Sequence, residues 1–319
     1  MNIKSFLKLV EIQTKTASVI SFLLGSIYVF YRYKEFNPLN FFIMFASLLC
    51  IDMSTTAINN YIDFKKANKK SGYGYETHNA IVRFNLKESS VIAIIAVLLI
   101  LASALGVILV LRTNIVVLLL GALSFAIGIL YSFGPVPISR TPFGEVFSGL
   151  FMGLVIPFLS IYIHIYDTDL LHVGLTSGIL TISANLPELI YILLISWPAV
   201  TGIANIMLAN NICDMDDDLA NLRYTLPIYI GKKNALFVFR ALYYTGYAAV
   251  ACLIVLQVLP IISALSILTI LIVQKNISQF MKLQTKKDTF VLAVKNFSVT
   301  NAALILTLAI ASVVDMFIF

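Results

Sequence analysis

Asn210-Asn211-Ile212-Cys213-Asp214-Met215-Asp216-Asp217-Asp218 decides how this 319-residue chain is read. It continues an apolar run over 188–211 that is long enough to cross a bilayer, whose hydrocarbon core takes about 20 helical residues. The chain has only 16 acidic residues, and four of them fall between 214 and 218. On a helix, Asn210, Asp214 and Asp218 recur at i, i+4 and i+8 and share one face. Carboxylates this crowded repel one another unless a cation sits among them. Hard oxygen donors with an open side suit Mg²⁺ bound to a diphosphate. Arg223, Lys232 and Lys233 follow, placed for phosphate oxygens. A solvated acidic helix end is the plainer interpretation. It loses weight because ionisable groups continuing a membrane helix are functional by default.

The rest of the chain places that stretch in a membrane. Apolar residues make up 60% and charged residues 12%, with a mean hydropathy of +0.93. A soluble domain carries about 25% charged residues. Nine apolar segments are predicted, at 16–33, 40–61, 89–111, 114–133, 143–165, 188–211, 234–257, 260–280 and 291–318. The expected fold is all-α: a polytopic bundle of about nine transmembrane helices forming one intramembrane domain over 1–319. With the N-terminus cytoplasmic, nineteen of the 22 Lys and Arg residues fall inside and only Arg32, Lys34 and Arg112 outside. The net charge of +6 then faces anionic inner-leaflet lipid and needs no nucleic acid. Residues 1–15 read as a surface amphipathic segment, with no cleavable signal peptide evident. Residues 62–88 and 212–233 read as long polar cytoplasmic segments. The outer segment 166–187 holds Asp167 and Asp169 but no Lys or Arg, and is expected to be a re-entrant or surface helix. Cys50, Cys213 and Cys252 form no CxxC pair, and His78, His164 and His172 have no metal-ligand spacing; packing accounts for all six.

A second polar stripe ends span two. In Asp52-Met53-Ser54-Thr55-Thr56-Ala57-Ile58-Asn59-Asn60-Tyr61-Ile62-Asp63-Phe64-Lys65-Lys66, Asn59 and Asp63 are again i and i+4. Asp52 lies seven residues earlier on roughly the same stripe. Spans two and six are both even-numbered, so their acid ends lie on one side of the membrane.

At these residues the chain resembles the UbiA superfamily of intramembrane prenyltransferases, and most of all its 1,4-dihydroxy-2-naphthoate branch. Asn210-Asn211-Ile212-Cys213-Asp214, Asp218, Ala220-Asn221-Leu222-Arg223-Tyr224-Thr225-Leu226 and Gly231 are similar to the branch's NNxxDxxxDxAxGKxTL run. Arg223 stands for the usual Lys and Leu222 for the usual Gly. Tyr131-Ser132-Phe133-Gly134-Pro135-Val136-Pro137, Gly144-Glu145 and Gly153 resemble the YxxGPxP…GE pattern. Asn59-Asn60-Tyr61-Ile62-Asp63 resembles NDYxD with Asn60 for the first Asp, and the family's later Asp would fall at Lys69. Glu76 and Asp52 are candidates to replace it.

The resemblance implies a Mg²⁺-dependent enzyme of a bacterial inner membrane. It would transfer a polyprenyl group from its diphosphate to 1,4-dihydroxy-2-naphthoate, with decarboxylation to demethylmenaquinone. Asp63, Asp214 and Asp218 would be catalytic. Asn59 and Asp63 would hold one Mg²⁺, and Asp214 and Asp218 the other. Asn59, Asn60, Lys65, Lys66, Asn210, Asn211, Arg223 and Tyr131 would bind substrate, and the tail would lie along helix faces open to lipid. Tyr61 and Phe64 are further candidates near the reacting end. A different acceptor within the same family stays open. So does a cation-coupled transporter, although that site is expected near the bilayer midplane rather than at helix ends.

Overall fold

The computed structural model describes residues 1–66, 79–134, 137–176 and 178–318. Among the described residues, nine long helices appear where apolar runs were expected. They are α1 (Thr16–Tyr33), α2 (Pro38–Lys66), α3 (Glu88–Arg112), α4 (Ile115–Ser132), α5 (Gly144–Tyr162), α6 (Leu186–Cys213), α7 (Lys232–Val255), α8 (Ile261–Lys282) and α9 (Phe290–Ile318). Eight are long and apolar enough to span a membrane alone, and α4 is a shorter apolar helix. α2, α3 and α4 pack together on one side. α6 packs against α5, α7 and α9, and α1 joins the two sides by touching α2, α5 and α9.

Small residues bring the backbones close, as membrane helices need when lipid is as apolar as their side chains. A Cβ on Gly153 would fall 2.4 Å from the Val200 Cα, so α5 runs directly against α6 there. That stretch of α5, Phe151–Val155, is π-helical and lies beside Pro198, which interrupts the α6 hydrogen-bond ladder. The main apolar core centres on Phe22, Tyr28, Tyr162, Ile195 and Phe297. A second core, around Phe239, Ile277 and Phe280, fills the space between α6, α7 and α8.

The segment 166–187 is a correction to the expected re-entrant or surface helix. It forms an antiparallel hairpin of β1 (Leu171–Thr176) and β2 (Ile179–Ala184), with Leu171 opposite Ala184 and Thr176 opposite Ile179. Its β-branched residues Val173, Thr176, Ile179, Thr181 and Ile182 favour strand, and Gly178 takes φ +81° in the two-residue turn. Acid count and apolar content were blind to both signals. The hairpin is tied down where the Tyr162 hydroxyl donates to the Leu171 carbonyl at 2.7 Å. At the chain start, a capped helix (Ile3–Leu9) leads through a 3₁₀ turn (Ile12–Lys15) into α1. Leu9 is buried there, and Ile3 and Leu7 are exposed.

Candidate functional site

α6 stops at Cys213, and a short helix, Met215–Ala220, starts beyond Asp214. The acid stripe survives this break. The Asp214 N–H donates to the Asn210 carbonyl at 3.1 Å and the Asp218 N–H to the Asp214 carbonyl at 2.7 Å, which keeps the four-residue spacing. The short helix closes with the Arg223 N–H on the Asp218 carbonyl (2.8 Å) and the Leu222 N–H on the Leu219 carbonyl (3.2 Å). This paired closure needs a left-handed residue, usually glycine, and Leu222 takes that place at φ +53°. The turn brings Arg223 back toward the acids.

Each acid of the stripe has a cation. Arg223 Nε lies 3.3 Å from Asp218 Oδ1, an ion pair without hydrogen-bond alignment. The Thr225 hydroxyl donates to the other carboxylate oxygen at 3.2 Å. Asp218 is only 2% exposed, and burial pushes its carboxyl above the ordinary range. Arg223 and Thr225 pull it down by less than burial raises it. Asp214 Oδ2 lies 2.5 Å from the Nζ of Lys286, which stands between α8 and α9.

A cavity of about 980 Å³ opens against both polar stripes. Asn59 and Asp63 of α2 line it, and so do Asn210, Arg223 and Tyr131. The structure thus brings Asn59 and Asp63 of span two and Asn210 of span six to one cavity. Asp214 and Asp218 are not on its wall themselves. The cavity follows α2 down to Met44, about 28 Å from Asp63 at the helical rise. Its far part is apolar, with Val110, Val117 and Leu118, and with Gly106 and Gly121 where a Cβ would meet nothing closer than 3.9 Å.

Several expected residues point elsewhere. Asn60 is buried, and its amide donates to the Leu9 carbonyl (3.1 Å) and Glu11 Oε1 (3.2 Å), pinning the chain start to α2. Asn211 is fully buried and donates to Glu145 Oε1 at 2.8 Å, joining α6 to α5. Lys65 pairs with Glu88 at 2.7 Å and is not on the cavity wall. Tyr61 and Phe64 pack in a small cluster with Leu9, Ala57 and Ile81. The Lys66 side chain, Lys69, Glu76, His78, Pro135 and Val136 lie outside what the structure describes. Asp52 is not free to stand in for a missing acid. Lys15 Nζ donates to its carboxylate at 2.6 Å and to Thr56 Oγ1 at 2.5 Å, and the Ser18 hydroxyl donates to the other carboxylate oxygen at 2.5 Å. Lys15 is 3% exposed, and all four residues line the cavity. Reading the sequence missed Lys15 and Lys286. A lysine at the start of a span or in a connecting turn looks like any membrane-surface cation.

His164 accepts from the Asn37 N–H at 2.9 Å and stacks on Phe36, a packing role. Among the described residues no three His, Cys, Asp or Glu side chains cluster as a metal cage.

Comparison with known proteins agrees with this geometry. The UbiA prenyltransferase family matches residues 18–311. A Bacillus subtilis (strain 168) protein named 1,4-dihydroxy-2-naphthoate octaprenyltransferase is 33% identical over 245 residues, covering 76% of this chain and 71% of that one. Among solved structures, a UbiA homolog from Aeropyrum pernix K1 superposes with a TM-score of 0.67 at 18% identity, over 94% of this chain and 98% of that one. A UbiA homolog from Archaeoglobus fulgidus bound to GPP and Mg²⁺ gives 0.64 at 16%, over 96% and 99%. At these identities the two structures speak for the fold. Sequence match and bundle agree that this chain belongs to the UbiA prenyltransferase family and is a multi-pass membrane enzyme of prenyl transfer.

Proposed function

We propose that the protein transfers a polyprenyl group from its diphosphate to 1,4-dihydroxy-2-naphthoate, with loss of CO₂ and of diphosphate, giving the quinol form of demethylmenaquinone in a bacterial plasma membrane. The observation that carries the reading is one cavity lined both by Asn59 and Asp63 of α2 and by Asn210 and Arg223. The naphthoate acceptor rests on the B. subtilis relative. The basic residues put this end of the bundle on the cytoplasmic side.

The donor set fits Mg²⁺. Asn59, Asp63, Asn210, Asp214 and Asp218 offer only hard oxygens, and Mg²⁺ is usually held by one or two carboxylates plus substrate phosphates rather than by a protein cage. When bound, Mg²⁺ would neutralise the diphosphate and make it a better leaving group. Arg223 is the cation on the cavity wall nearest the acid stripe, paired with Asp218, and would take the free phosphate oxygens. The allylic C–O bond then breaks toward a carbocation, and its electron pair leaves on the diphosphate. The Tyr131 ring, also on the wall, would face that cation with its π surface. The surrounding apolar wall keeps out water, which would otherwise capture it. Lys15, Ser18, Asp52 and Thr56 form a second polar patch, about 10 Å from Asn59 along α2. An acceptor with one carboxylate and two hydroxyls has matching chemistry. Its ring carbon attacks, and the ring carboxylate leaves as CO₂.

The test uses purified protein with 1,4-dihydroxy-2-naphthoate, a polyprenyl diphosphate and Mg²⁺, read by mass spectrometry, beside EDTA and Asp214→Ala controls. Metal-dependent prenyl-naphthoquinone, lost in the variant, supports every part of the reading. Diphosphate release only with another aromatic acceptor moves the substrate and keeps the chemistry. No release with any acceptor, from folded protein, ends the reading.

A further inference from the structure

Lys286 holds an acid of the site without belonging to either polar stripe. It stands in the turn between α8 and α9, and the backbone of that turn is well fixed. Gln284 Nε2 donates to the Phe280 and Met281 carbonyls at 2.6 and 2.9 Å, closing α8. The Thr285 N–H donates to Thr289 Oγ1 at 3.0 Å, and the Thr285 hydroxyl donates to Asp288 Oδ2 at 3.0 Å. Four residues past Lys286, Phe290 lines the cavity. The turn therefore flanks the end of the cavity where Asn210 and Arg223 lie. From it the Lys286 side chain reaches Asp214 Oδ2 at 2.5 Å while remaining half exposed.

The two cations on the acid stripe are held differently. Arg223 is tied by its own backbone, through the turn that closes on Asp218, and its guanidinium is largely buried. Lys286 is tied only by its ammonium. A lysine is a compact charge on a flexible four-carbon stem, so it can leave one oxygen for another at small cost. Asp214 cannot give the same lone pairs to an ammonium at 2.5 Å and to a divalent ion.

We infer that Lys286 and a divalent ion are alternative partners of Asp214, and that the ammonium displaced by the ion turns to the incoming diphosphate. The inference rests on the diphosphate reading above. It makes Lys286 a binding residue for the leaving group and couples the two ligands. The ion frees a cation for the diphosphate, and the diphosphate gives that cation somewhere to go. No bond to carbon changes in this exchange; one ionic contact replaces another.

The experiment measures binding, not turnover, on the full chain in detergent. Mn²⁺ serves as the divalent probe by electron paramagnetic resonance, with inorganic pyrophosphate as the anion. Lys286→Ala should bind Mn²⁺ alone more tightly than wild type, by about fivefold, because its competitor is gone. It should bind pyrophosphate in the presence of Mn²⁺ more weakly by about the same factor, at the low end of usual coupling between two ligands. Lys286→Arg, which keeps the charge, should restore much of the pyrophosphate affinity, and Lys287→Ala should match wild type in both. Opposite movement of the two affinities supports the exchange. Unchanged affinities in Lys286→Ala, or a loss of both together, overturn it. If wild type itself binds no Mn²⁺ even with pyrophosphate, the diphosphate reading falls with it. If wild type binds both and the variant matches it, only the exchange falls.

Discussion

α6 buries 72% of its membrane span among its neighbours, whereas α2 buries 22% of its own. Both helices end in an Asn and an Asp one turn apart, and both ends face the same cavity, yet they are built differently. At the α6 end, packing comes first. The short helix and the turn at Leu222 fix Arg223 against Asp218, and the α8–α9 turn brings Lys286 to Asp214. At the α2 end, Asp63 is the one acid in the last turn, and it is exposed on the cavity wall. The difference teaches that preorganisation comes from burial: a carboxylate surrounded by packed helices has few other geometries to adopt. The α6 end is thus the costlier and the more exacting half of the site.

Four substitutions would break or sharpen this contrast. The largest effect is expected from Asp218→Asn, which should lower kcat by about 10²–10³-fold, the scale for losing one preorganised electrostatic contact. The same variant should be the more thermally stable protein at pH 7. The folded-state carboxyl is raised, so wild-type Asp218 adds stability in its protonated form, below the ordinary value of about 4, and loses it as pH rises through the folded value. The Tm gain of the variant should therefore shrink as pH is lowered toward 4. A gain that grew instead would mean that Arg223, not burial, dominates at Asp218.

Next comes Lys15→Ala, which leaves the Asp52 carboxylate without its ammonium on the cavity wall. A loss of about 3 kcal/mol is the low end for breaking a buried pair. The double variant Lys15→Met with Asp52→Leu should recover most of it, measured as thermal unfolding in detergent. If the single variant is as stable as wild type, the α2 side is softer than its ion pair implies. Asp63→Asn should weaken Mn²⁺ binding by about 10–100-fold, the range for disturbing a metal's ligand environment. A loss equal to that in Asp214→Asn would erase the proposed inequality between the two ends. The smallest effect is expected from Leu222→Gly. It should raise stability by about 1 kcal/mol, because a leucine at φ +53° carries strain that glycine does not. Activity should hold, since the turn itself is kept.

Much of this was legible beforehand, for a physical reason. Apolar runs report the solvent they face, so all nine long helices fell where hydropathy put them, including α4, which is too short to pass a length test alone. The stripe Asn210, Asp214, Asp218 was legible because helical spacing is local, and it held even though the helix breaks at Asp214. Leu222 was noted only as standing where the family has glycine; the left-handed turn it makes, at φ +53°, became visible in the backbone. The hairpin at 171–184 was missed because its signal lies in β-branching and one glycine, not in charge. Asn60 and Asn211 sit in the right motifs but face neighbouring helices. A motif gives a residue's place along the helix and not which neighbour it meets.

The amino-acid sequence by itself determined a membrane-spanning all-α chain, its nine helices, and the two stretches whose oxygens can serve a metal–diphosphate. These follow from local properties: hydropathy over about 20 residues and side-chain spacing over one turn. Only the tertiary structure decided which charges meet. Lys15 finds Asp52 from a different helix, and Lys286 reaches Asp214 from a turn 72 positions away. Such partners are chosen by how helices pack, and packing depends on shape summed over the whole bundle rather than on any one segment.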